Sequence, residues 1–102
     1  MYMQCMYNVT MKFAWDPKKA NDNIKKHKVS FDEAVTVFYD PLAKIADDPD
    51  HSNDEDRFLM IGHSHNANLL IVVHVYKEEK DTIRIISARK ATKKEKKDFQ
   101  EL

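Results

Sequence analysis

Three segments decide the fold: Arg57-Phe58-Leu59-Met60-Ile61-Gly62, Leu69-Leu70-Ile71-Val72-Val73-His74-Val75-Tyr76 and Thr82-Ile83-Arg84-Ile85-Ile86-Ser87. Each is short, rich in β-branched and aromatic side chains and bounded by polar residues, as buried or half-buried strands are. The intervening His63 to Asn68 and Lys77 to Asp81 are short enough to close hairpins, so the three strands pair antiparallel. Outward from them, Leu42 to Ala46 reads as one more short strand, and the alternation of Met11-Lys12-Phe13-Ala14-Trp15 as another. Asp16 followed by Pro17 marks a helix start, with an N-cap carboxylate and a first-turn proline. In that helix Ala20, Ile24 and His27 fall on one face. Ser30-Phe31-Asp32-Glu33 has capping-box spacing, each partner able to satisfy an exposed backbone donor. This second helix carries Ala34, Val35, Val37 and Phe38 inward and stops near Asp40-Pro41, because proline disfavours a helical residue before it. Thr92 to Glu95 opens a last short helix bearing Phe99 and Leu102. The order is α+β: two N-terminal helices on a mostly antiparallel sheet, with a short C-terminal helix. Residues 1–12 read as an extension or first strand, and 13–102 as a single domain.

Composition narrows the function. A chain of 102 residues has room for one small core, and 42% hydrophobic residues suffice to build it rather than leave a disordered tail. The longest apolar run, Leu69 to Val73, is far short of the roughly 18–20 residues that cross a bilayer, and residues 1–10 lack the pattern of a secretory signal. A cytoplasmic protein is therefore expected. Cys5 is the single cysteine, which excludes an internal disulfide and a cysteine-based zinc site. Gly62 is the single glycine, so a glycine-rich phosphate loop is excluded as well. The formal net charge of +0 conceals two opposed blocks. Asp40 to Asp56 is acidic apart from Lys44, and Arg84 to Lys97 is basic apart from Glu95. Such polarity suits an anionic ligand on one side and a basic partner on the other.

Register arithmetic gives the sharpest functional expectation. If Tyr76 pairs with Thr82, His74 faces Arg84; if Gly62 pairs with Leu69, Arg57 faces His74. Directly opposed residues share a sheet face with Cβ atoms about 5 Å apart. Arg57, His74 and Arg84 would then form one row, two guanidinium forks flanking an imidazole, which is a plausible phosphate site. A one-residue bulge would break it. The bland reading is a solvated sheet face with Arg84 paired to an acid. Lys26-His27-Lys28 complements the dipole at the first helix's C-terminus, and His27 reads equally as a hydrogen-bonded core residue or a proton-transfer group. His51, His63, His65 and the acidic loop could suggest a metal. His-x-His in a turn supplies two ligands, however, and carboxylate runs are usually solvated, so no metal and no cofactor are expected. The lysines after Thr92 form an exposed helix face that would also attract a nucleic-acid backbone.

At this point the residues resemble a known family. Phe13-Ala14-Trp15-Asp16-Pro17, then Lys26-His27 with Val29-Ser30-Phe31 and Ala34, are similar to the opening of the BrnT toxins. Asp48-Pro49, Arg57-Phe58 with Ile61-Gly62, and Arg84-Ile85-Ile86-Ser87-Ala88-Arg89 with Ala91-Thr92 continue the pattern, from about Phe13 to Phe99. The resemblance implies a bacterial type II toxin of RelE-like fold, an endoribonuclease that works without metal and halts translation. It implies as partners an RNA substrate and a BrnA-like ribbon-helix-helix antitoxin, with operator DNA reached only through that antitoxin. The 2′-hydroxyl beside the scissile phosphate would be the nucleophile. Carried onto this chain, Arg57, Arg84 and Arg89 would contact the phosphate, and His27 and His74 would move protons. Lys26 and Lys90 would bind RNA. Many members have glycine where Lys28 stands, so the first helix is expected to end without the usual left-handed glycine. The antitoxin could cover the basic face or engage Phe99 and Leu102. The alternative is a non-catalytic RNA- or protein-binding module on the same scaffold, which the neutral net charge favours.

Overall fold

Local capping chemistry sets the element boundaries in the computed structural model, which describes residues 3–4, 11–48, 57–77 and 80–102. The elements are β1 (Met3–Gln4), β2 (Lys12–Ala14), α1 (Pro17–His27), α2 (Phe31–Val37), β3 (Lys44–Asp47), β4 (Arg57–His63), β5 (Leu69–Lys77), β6 (Thr82–Lys90) and α3 (Lys93–Gln100). Asp16 accepts from the Lys18 amide at 2.9 Å, with Pro17 in the first turn of α1. At α3 both halves of the Thr92–Glu95 capping box form. At α2 only one half forms. Ser30 Oγ accepts from the Glu33 amide at 3.0 Å, whereas the Glu33 carboxylate accepts from Ser64 and Asn68 at 2.6 and 2.9 Å. The carboxylate ties the helix to the β4–β5 hairpin instead of closing the box.

The α1 helix ends without a glycine, as the sequence requires, yet it does not end differently. Lys28 itself adopts the left-handed conformation, φ 62° and ψ 28°, and its amide donates to the Ile24 carbonyl. The helix thus terminates as a glycine would terminate it, against the Cβ crowding that disfavours this region. Its buried face also differs from the apolar spacing. Ile24 is 45% exposed, whereas Asn23 is buried. The Asn23 amide donates to the carbonyls of Val29 and Ala88 at 2.9 and 2.8 Å and accepts from the Ala88 amide at 3.1 Å. One side chain thereby joins α1, the start of α2 and β6.

The six-stranded sheet has the order β1-β3-β4-β5-β6-β2, all pairs antiparallel except β2 with β6. On one face, Phe31, Ala34, Val37 and Phe38 of the α2 region pack with Met60, Leu70, Val72, Ile83, Ile85 and Ala88 in the main core. On the other, Ile61, Leu69 and Ile71 pack with Leu59, Ala91 and Phe99 beneath α3. No helix among the described residues is long and apolar enough to cross a membrane.

Both hairpin registers lie one residue from the sequence expectation. His63, not Gly62, pairs with Leu69, and Lys77, not Tyr76, pairs with Thr82. In the first hairpin Ser64 and Asn68 close a tighter loop, Ser64 accepting from the Ala67 amide and donating to the Asn68 carbonyl, with Ala67 at φ 63°. A third departure lies within β6. Val73 pairs with Ser87 but His74 pairs with Ile85, which leaves Ile86 as the extra residue of a β-bulge.

Gly62 is required by close approach. A Cβ there would lie 2.8 Å from the Ala43 Cβ and 3.1 Å from both Asp40 Oδ2 and Val37 Cγ1, where the α2–β3 connection crosses β4. Gly62→Ala should destabilise the protein by about 1–3 kcal/mol through overpacking. Lys28→Gly should stabilise it by about 1 kcal/mol by relieving the left-handed backbone. Urea denaturation of the two variants beside the parent chain measures both signs.

Candidate functional site: a basic sheet face

The shifted registers assemble a different row from the one expected. Arg57 pairs with Val75, and Val75 pairs with Arg84. Paired residues share a face, so the two arginines stand two strand spacings apart, about 10 Å, with a valine between them. The next row is Leu59, Val73 and Ser87, and the one after it is Ile61, Ile71 and Arg89. Arg84 and Arg89 are five positions apart, which in an unbroken strand places them on opposite faces. The extra residue Ile86 brings both to the face that carries α3. Lys77 and Lys12 pair with Thr82 beside the Arg57–Arg84 row, and Lys44 pairs with Ile61 at the far edge. This one face therefore holds Lys12, Lys44, Arg57, Lys77, Arg84 and Arg89. The lysines of β2, β3 and β5 were passed over in the sequence because each lies at a strand end and acquires a face only once pairing is known.

His74 leaves the row altogether. It pairs with Phe58 and Ile85 on the helix-covered face, is fully buried, and meets the Phe38 and Phe58 rings at centroid distances of 5.0 and 6.0 Å. Burial pushes its pKa down to about 4, only partly opposed by the hydrogen bond from Nδ1 to the Val72 carbonyl. It is a neutral core side chain at pH 7. The expected Arg57–His74–Arg84 row is thus corrected to Arg57–Val75–Arg84, the cause being a one-residue change in each turn.

Arg89 is held by Glu95 of α3. Its Nη1 and Nη2 donate to Oε1 and Oε2 at 2.8 and 2.9 Å, a bidentate pair. The Arg89 guanidinium holds the Glu95 carboxyl down at about pKa 2, and the bond in turn raises the arginine. Glu95 Oε1 also accepts from the Thr92 amide at 2.8 Å. Capping alone was legible for Glu95; the ion pair required the bulge to turn Arg89 toward α3.

The remaining candidates lie elsewhere. Lys26 and half-buried His27 belong to α1, which packs through Asn23 against the opposite side of β6. Lys90 pairs with Leu70, so it too points away from the arginine face. His63 Nδ1 lies 3.7 Å from Asp40, and His65 hydrogen-bonds Thr36. Among the described residues no three His, Cys, Asp or Glu side chains gather as metal ligands. His51 and most of the acidic Asp47–Asp56 loop lie outside the described residues.

A mixed sheet with helices on both faces is a fold that this chain shares with a ribonuclease toxin of known structure. The crystal structure of the Brucella abortus ribonuclease toxin BrnT is similar to this chain, with a TM-score of 0.63 and 26% identity over 82% of this chain and 100% of that one. The family model described as ribonuclease toxin, BrnT, of type II toxin-antitoxin system matches residues 15–95, and the chain belongs to this family. No curated protein sequence matches it.

The buried imidazole gives stability a specific pH dependence. The unfolded chain takes up a proton at this group near pH 6.5, whereas the folded one does so only near 4. Stability should therefore fall as pH drops through that window, by up to about 3 kcal/mol from this residue. His74→Leu should flatten this part of the profile, as read by denaturation at pH 7, 5.5 and 4. An unchanged slope would place the titration elsewhere.

Proposed function

We propose that this ribonuclease toxin cuts RNA on the Arg57–Val75–Arg84 row and does so without metal. The observation that carries the reading is the register of the two hairpins, which pairs Arg57 and Arg84 with Val75 on one face of the sheet; the bulge at Ile86 adds Arg89 to that face. Guanidinium groups remain protonated at any physiological pH and match phosphate oxygens in pairs. Two of them about 10 Å apart at their bases can converge on one phosphodiester. There they would stabilise the charge that grows as the 2′-oxygen attacks phosphorus and the 5′-oxygen leaves, giving a 2′,3′-cyclic phosphate. Fixed cations supply the electrostatic role that a metal fills in other nucleases. Burial removes His74 from the proton-transfer set, and His27 sits on the helix layer across the sheet. The arginine face is accordingly assigned charge stabilisation, with Arg89 a further phosphate contact when Glu95 yields it.

The type II family implies an antitoxin partner. We take that partner to be a BrnA-like ribbon-helix-helix protein that reaches operator DNA itself. The toxin would act in the cytoplasm and arrest translation by destroying RNA. The fold is read as RelE-like, with residues 13–102 as the toxin domain and residues 1–12 as an extension or first strand.

Induced expression in a bacterium tests the reading, with growth and RNA integrity followed together. The parent chain should arrest growth and leave RNA fragments. Arg57→Ala and Arg84→Ala should each lower cleavage by about 100- to 1000-fold while remaining folded. The purified protein should cut equally well with a chelator present. Undiminished toxicity from a folded, well-expressed Arg57→Ala variant would sink the assignment, and RNA binding without fragments would favour the non-catalytic module.

A further inference from the structure

Between α3 and the β4–β5 hairpin lies a cavity of about 250 Å³, distinct from the arginine row. Its α3 wall is Lys96, Phe99 and Gln100, which stand at i, i+3 and i+4 and so share one helix face. Its other wall is the hairpin residues His63 and Asn68, and Lys90 lies at its edge. The Lys96 side chain, two carboxamide residues, an imidazole and an aromatic ring line it, with Lys90 at its edge beside Glu33, and no acidic residue is among them. The acids nearby are already engaged. Glu33 accepts from Ser64 and Asn68, and Asp40 accepts from the Leu42 and His63 amides. Those same bonds fix the hairpin wall in place, and the His63 ring stands edge-on to Phe99 at 5.9 Å. A preformed, cationic and partly aromatic cavity suits an anion attached to a flat or apolar body.

We propose that this cavity is a second RNA subsite, holding one backbone phosphate and its nucleoside away from the scissile bond. The proposal rests on the ribonuclease reading for its ligand class, but it uses different residues. His63 and Arg57 are six positions apart on β4, about 20 Å, so only an RNA longer than a dinucleotide could occupy both places. The cavity therefore makes the protein select for chain length and adds the charge of Lys96, with Lys90 at the rim, to the binding of long RNA.

The test uses a single-stranded RNA of about twelve nucleotides, 2′-O-methylated throughout so that binding is measured without cleavage. Fluorescence anisotropy is recorded against salt for the parent chain and for Lys90→Gln/Lys96→Gln. The double variant should bind about tenfold more weakly, with its salt slope reduced by about 1.4. A charge-matched control, Lys18→Gln/Lys19→Gln on α1, should bind within about twofold of the parent. Equal losses in the two variants would mean general electrostatic attraction and would overturn the subsite. So would unchanged RNA binding by the Lys90/Lys96 variant, including the case in which that variant instead fails to capture the antitoxin. If the parent binds this RNA through Lys90 and Lys96 yet leaves unmodified RNA intact, the ribonuclease reading fails and the subsite stands. If unmodified RNA is cut but the lysine variant binds normally, the reverse holds.

Discussion

An extra residue in one strand organises this molecule. A regular β6 would alternate strictly, and Arg84 and Arg89 would then serve opposite faces. The bulge at Ile86 shifts the phase once, between Ile85 and Ser87. Below the shift, Ile83 and Ile85 point into the main core; above it, Ala88 does so, and the Ala88 backbone receives Asn23 of α1. Each side of the bulge thus keeps its apolar residues in the core while delivering an arginine to the opposite face. Packing and function would conflict in an unbroken strand, and the bulge reconciles them.

Much of this was legible in the residues and some was not, for identifiable reasons. The three central strands, the helix starts at Asp16, Ser30 and Thr92, and the α+β order follow from local patterns that need no partner. The faces do not, because face depends on pairing, and pairing depends on how tightly each turn closes. Ser64 shortened one turn and lengthened β4 by His63, the second turn closed one residue tighter at Lys77, and the two steps together moved His74 from the expected row into the core. The family resemblance quoted both Arg84 and Arg89 without revealing that a bulge lies between them. Asn23 was hidden for a different reason: a polar residue on an inward helix face reads as solvent-facing until the backbone groups it satisfies are in view.

The neutral net charge is likewise a sum over two sides of a sheet. Lys12, Lys44, Arg57, Lys77, Arg84 and Arg89 share one face, and Glu33 and Asp40 serve the hairpin and the α2–β3 turn. A polyanion meets local potential rather than net charge, so the balance over the whole chain does not argue against RNA binding.

Glu95 does two jobs with one carboxylate: Oε1 receives both the Thr92 amide that starts α3 and an Arg89 guanidinium nitrogen from the sheet. None of the α3 side chains is fully buried, so these bonds and the Phe99 contact are what fasten the helix. Winding and docking of this helix are therefore coupled. A competitor for Arg89 weakens the first turn as it loosens the anchor, and the segment gives way as a cooperative unit rather than sliding across the sheet.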